Sequence, residues 1–184
     1  MQTLVDIEQL KHNIKEIEAS SAGGDANLAE EAEHAFKKII KLASIREQAS
    51  AKLTERLLRD GFSEKAVADA VDRAISSHIV DDVRYAEAYM RTQLAQGKGR
   101  RGIERALKQI GIASPDEEAW ELAYESFGDD EFERAMALLS RKPPRSKNKR
   151  EGAYRKLVQK GYSSDIAASA SRCWSESVDT LEQG

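Results

Sequence analysis

The chain has 184 residues, 29 Lys and Arg against 32 Asp and Glu, and 40% hydrophobic residues, which is globular composition, and its net charge of -3 names no partner. No apolar run approaches the ~20 residues that cross a bilayer, and the opening MQTLVDIEQLKHN lacks the layout of a secretory signal. Cys173, the single cysteine, excludes an internal disulfide or a multi-cysteine metal site, so a cytoplasmic protein is expected.

Alanine, with 26 copies, outnumbers valine, isoleucine and threonine together, and only three prolines occur. Alanine loses no side-chain entropy in a helix whereas β-branched residues favour strands, so an all-α fold is predicted. Residues 3–18 place Leu4, Ile7, Ile14 and Ile17 on one helical face, and Ser20–Gly24 reads as a flexible linker, so 1–27 is expected to be an N-terminal arm.

The rest of the chain repeats. Gly61, Gly111 and Gly161 recur at a spacing of 50 in LLRDGFS, LKQIGIA and LVQKGYS. The same offset aligns Leu57, Leu107 and Leu157, then Leu53, Ile103 and Ala153, then Ile39, Tyr89 and Leu139, then Ala35, Tyr85 and Ala135. Each unit resolves into three short helices, giving repeats at 28–80, 81–128 and 129–178 and a tail at 179–184. In the first repeat Ser44 and Glu47 have capping-box spacing, predicting a helix over 45–60, and Gly61 supplies the left-handed residue that ends it. In the second, Asp81 or Asp82 caps a helix over 83–96, another runs over 100–110, and Ser114-Pro115-Asp116-Glu117 predicts an N-cap at Ser114 with proline at the first helical position. The third is predicted over 130–141, 148–160 and 164–176. Units of this size bury little core alone, so they are expected to stack as an elongated, curved solenoid.

Charge is segregated along this frame. Residues 1–33 hold eight acidic and two basic side chains, and 115–133 hold nine acidic and none basic. Residues 97–108 hold five basic and one acidic, and 141–160 nine basic and one acidic, marking two candidate surfaces for a polyanion or an acidic partner. Gly97-Lys98-Gly99-Arg100-Arg101-Gly102 has the spacing of a dinucleotide fingerprint but follows a helix rather than a buried strand, so that reading fails. Its free helix N-terminal N–H groups, with Lys98, Arg100 and Arg101 around them, are expected to receive a phosphate or a partner carboxylate.

His12, His34 and His78 lie in separate segments, Asp81 and Asp82 lack a third ligand, and Cys173 is expected to pack with Trp174, so no catalytic, metal or cofactor site is predicted. Tyr85 and Tyr89 fall in apolar columns, and Tyr154, inside the second basic run, is the aromatic with a claim to polar surface. The predicted partner surface comprises Arg84, Lys98, Arg100, Arg101, Arg105, Lys142, Arg145, Lys147, Lys149, Arg150, Arg155 and Lys156.

Three segments carry a family resemblance: AKLTERLLRDGFSEKAVADAV from Ala51, IVDDVRYAEAYMRTQLAQGKGRRGIERALKQIGI from Ile79, and AYRKLVQKGYSSDIAASA from Ala153. Over residues 33–176 the chain resembles the RecX family of bacterial recombination regulators, with Asp81, Asp82, Arg84, Tyr85, Lys98, Gly99, Arg100, Ile103, Leu107 and Gly111 matching its pattern. The resemblance implies a regulator without catalysis that lodges in the groove of RecA filaments on DNA and restrains their ATPase, strand-exchange and coprotease activities. It brings the RecA filament as partner, DNA as part of that filament, and roles in DNA repair and the SOS response. The rival is a stand-alone, sequence-tolerant DNA-binding helical protein.

Overall fold

The computed structural model describes the backbone of residues 7–127 and 130–183 and the side chains of 25–127 and 130–180. Among the described residues every regular element is an α-helix: α1 (Ile7–Ala43), α2 (Ser50–Arg59), α3 (Glu64–Ser76), α4 (Asp82–Ala95), α5 (Arg100–Gln109), α6 (Glu117–Phe127), α7 (Glu131–Arg141), α8 (Lys149–Gln159) and α9 (Ser164–Gln183). None is long and apolar enough to cross a membrane. The chain divides into two compact units, Met1–Asp81 and Asp82–Gly184.

In the first unit α3 packs on α1 and α2 around Ala35, Ile39, Leu53, Leu57, Val67 and Val80. In the second, α4 packs on α5 and α6, while α9 packs on α7 and α8 around Leu138, Leu139, Leu157, Tyr162 and Trp174. The column leucines Leu57, Leu107 and Leu157 are fully buried, each contributing about 1.5–3 kcal/mol of apolar burial. Tyr85 and Tyr89 are half-buried and stack on each other with ring centroids 5.9 Å apart.

The three repeats share one chain reversal down to its hydrogen bonds. Gly61, Gly111 and Gly161 take φ of +95°, +73° and +87°. Each donates its N–H to Leu58, Lys108 or Val158, while the next residue, Phe62, Ile112 or Tyr162, donates to Leu57, Leu107 or Leu157. This paired bonding satisfies helix-end carbonyls and needs a left-handed residue, which glycine adopts without a Cβ penalty. Ser63 and Ser163 then cap α3 and α9, their hydroxyls accepting from Ala66 and Ile166.

Three local expectations are corrected. The helix expected over 45–60 starts at Ser50, because the Ser44 hydroxyl donates back to the Lys41 carbonyl and the Gln48 amide ties the loop to the Leu42 and Arg46 carbonyls. The helix expected to be capped by Ser114 starts at Glu117, capped by Asp116, whose Oδ1 accepts from the Ala119 N–H at 2.9 Å. Ala113 stands where the other repeats carry Ser63 and Ser163 and has no side chain to cap with, so the start moves to the next residue that does. Ser20–Gly24, expected as a linker, is helical backbone within α1. The apolar stripe of residues 4–17 lies outside the described side chains.

Candidate partner-binding surface

The basic glycine turn joins α4 to α5, and its glycines serve a backbone-to-backbone contact. A Cβ on Gly99 would lie 2.6 Å from the Tyr162 Cα, and one on Gly102 would lie 2.7 Å from the Gly161 Cα. Three of the N–H groups expected to be free are occupied. Gly99 donates to the Lys160 carbonyl at 3.0 Å, Gly102 to the Gly161 carbonyl at 2.9 Å, and Arg100 to the Glu131 carboxylate at 2.8 Å. The expected phosphate or partner-carboxylate cradle is therefore largely taken from within the chain, by Glu131 and by the turn that ends α8.

Arg100 is committed to the same junction. Its Nε donates to Glu104 at 2.7 Å, its terminal nitrogens form a bidentate pair with Glu117, and its guanidinium lies 4.8 Å from the Trp120 ring centroid. A planar fork clamped by two carboxylates over an indole uses the geometry in which arginine binds most strongly. The Glu117 hydrogen bond, opposed by burial and helped by Glu104, raises the Arg100 pKa further above its ordinary value. Arg134 reaches across from α7, donating to the Lys98 carbonyl at 3.0 Å and lying 5.6 Å from the Tyr124 ring centroid. Burial, reinforced by Glu131, pushes the Tyr124 phenol up to about 12.

These pairs fix an acid dependence. The hydrogen bond from Arg100 holds Glu117 below its ordinary value, as those from Ser63 and Arg73 hold Glu31 and Glu33. A carboxylate whose folded pKa is depressed stabilises the fold above its unfolded value, and that contribution is lost as pH falls through the folded value. Thermal stability is expected to be flat above the unfolded carboxylate range and to fall below it. In Glu117→Gln the neutral-pH stability should drop and the acid slope flatten, read from melting temperatures across the range.

The remaining basic side chains sort by freedom. On α5, Arg101, Arg105 and Lys108 are exposed at i, i+4 and i+7, and none pairs with a described carboxylate. They share one face, opposite buried Ile103 and Leu107. Lys98 is half-buried, and Arg84 is exposed on α4 with a contact of its own. In the third repeat Lys142, Arg145, Lys147, Arg150 and Arg155 are exposed, and Arg155 stands 3.7 Å from Glu151. Lys149 pairs with Asp179 at 3.2 Å, and Lys156 donates to the Lys142 carbonyl. Burial first, then Lys142 and Lys160, lower the Lys156 pKa.

Tyr154 is 36% exposed on α8. Cys173, expected to pack with Trp174, is exposed while Trp174 is buried, since adjacent helical residues face different directions. Glu131 and Arg134 were not singled out from the sequence, and Glu117 was read only as part of a helix start. Glu131 carried one signal, standing 100 residues after Glu31, which accepts from the Ser63 N–H and hydroxyl.

Fold and surface together define an all-helical protein of repeated three-helix domains, with exposed cations on α5 and in the third repeat. Residues 81–118 match the family described as "RecX, second three-helix domain". The chain is 30% identical over 130 residues to the regulatory protein RecX of Vibrio campbellii, covering 68% of this chain and 82% of that one. It is 33% identical over 84 residues to the Mycobacterium sp. (strain JLS) RecX, spanning 45% of each. The crystal structure of RecX from Lactobacillus salivarius shares the fold, with a TM-score of 0.59 at 21% identity over 80% of this chain and 98% of that one. The chain belongs to the RecX family.

Proposed function

We propose that the protein is a non-catalytic cytoplasmic regulator that binds RecA filaments on DNA and restrains them, with the exposed face of α5 as its principal contact. The observation that carries this reading is Arg101, Arg105 and Lys108, a run of exposed, unpaired cations in a chain of net charge -3. Their helix is anchored at its other side by the Arg100 clamp and the glycine junction, so the cations are presented on a fixed support. Arg145, Lys147, Arg150 and Arg155 extend the surface in the third repeat, whereas Arg100, Lys149 and Lys156 support it from within. Family membership supports RecA as the partner. Acidic protein surface and DNA phosphate both complement such cations, and charge complementarity speeds encounter and fixes register.

Fluorescence anisotropy of labelled single-stranded DNA, bare and RecA-coated, tests the reading. The coated strand is expected to bind at least about tenfold more tightly at physiological salt. Equal affinity for bare DNA, falling steeply with salt, is instead the signature of stand-alone DNA binding.

A further inference from the structure

The second and third repeats can be registered at the glycine turns that end α5 and α8 and at the caps that start α6 and α9, although α8 begins one residue earlier than α5 in that register. The glycine turns set Arg100 against Arg150 and Glu104 against Tyr154. The caps set Asp116 against Ser163, since Trp120 donates to the Asp116 carbonyl as Ala167 does to that of Ser163. Glu117 therefore corresponds to Ser164, and Trp120 to Ala167.

The third repeat thus keeps the arginine and lacks all three of its partners. The first carboxylate is replaced by Tyr154, the second by Ser164, and the indole by an alanine. Arg150 is exposed and pairs with no described carboxylate. Beside it lies a pocket of about 360 Å³ lined by Asn148, Arg150, Glu151, Tyr154, Ala168 and Ser171. Three of the lining polar groups are engaged: Asn148 accepts from the Glu151 N–H, Ser171 donates to the Ala168 carbonyl, and Glu151 faces Arg155 at 3.7 Å. The Arg150 guanidinium and the Tyr154 hydroxyl remain without a described partner.

We infer that this pocket takes an acidic, aromatic segment of a protein partner, which supplies from outside the carboxylate and ring that the second repeat supplies to Arg100 from inside. The internal copy is the template. There a guanidinium is satisfied by bidentate carboxylate and aromatic face at once, and every group that does so, Glu104, Glu117 and Trp120, is a protein side chain. The inference deepens the proposed function by naming one anchor of the partner contact in the third repeat.

The test is nuclear magnetic resonance titration of the full chain with three probes: the peptide acetyl-Glu-Trp-Glu-amide, inorganic phosphate, and oligothymidylate. The peptide is expected to shift Arg150 and Tyr154 signals saturably. Arg150→Gln should weaken it at least about tenfold, since it removes the charge and the bidentate fork together. Tyr154→Glu, which restores the internal carboxylate found at position 104, should weaken it comparably while leaving the exposed helix surface folded. Shifts at these residues with oligothymidylate or phosphate and not with the peptide would overturn the inference in favour of nucleic acid, and no shift with any probe would remove the site. Peptide binding lost in Arg150→Gln, together with unaltered action of that variant on RecA filaments, would keep the pocket and sever it from the proposed function.

Discussion

Gly161→Ala is expected to destabilise the protein by about 2–6 kcal/mol, against about 1–3 kcal/mol for Gly61→Ala or Gly111→Ala. The three glycines share a left-handed φ, so replacing any of them incurs the same backbone strain. They differ in what a new methyl group meets. At Gly61 and Gly111 nothing lies within 4 Å. At Gly161 the Cβ would lie 2.7 Å from the Gly102 nitrogen and against the Gly102 Cα. Both are backbone atoms of α5 held by their own hydrogen bonds, so they cannot swing aside as a side chain can. Denaturant unfolding of the three variants measures the difference. Equal losses at all three positions would show that α5 and the α8 turn do not approach as described.

The second large effect is functional. Arg101→Glu, Arg105→Glu and Lys108→Glu combined are expected to weaken inhibition of RecA filaments by tenfold or more, with helical content and melting temperature close to those of the parent. All three side chains are exposed on one face, and reversing them turns a cationic strip anionic without opening the core. Arg100→Glu should behave differently, lowering stability itself, because it sets a carboxylate against Glu104 and Glu117 and removes the cation over Trp120. Circular dichroism with denaturant unfolding separates the two outcomes. A triple variant that inhibits as well as the parent would place the contact elsewhere.

What was legible in the sequence is what local chemistry decides. Glycine at 61, 111 and 161 announced left-handed helix ends, and the columns through Leu57, Leu107 and Leu157 announced the core, because capping and helical burial act over a few residues. The role of Arg100 was not legible. Its partners Glu117 and Trp120 lie 17 and 20 residues away, beyond a loop three residues longer than its counterpart in the third repeat, so no fixed spacing pointed to them. The occupation of the α5 N-terminus was hidden for the same reason, since Glu131 and the Lys160–Gly161 carbonyls arrive from the next repeat. Ser114 and Ser44 misled because a good capping residue is a permission, and the competing bonds of Asp116, Lys41 and Gln48 settled which permission was used.

The central claim is that this protein acts on a RecA filament as an assembly. The measurement that tests it most directly is the single-stranded-DNA-dependent ATPase of RecA, titrated with this protein from far below to near stoichiometric ratio beside its affinity for bare DNA. Suppression at substoichiometric ratios, lost in the α5 charge-reversal variant, is the predicted result. An unaffected ATPase together with salt-sensitive binding to bare DNA would contradict it and assign the basic repeats to nucleic acid directly.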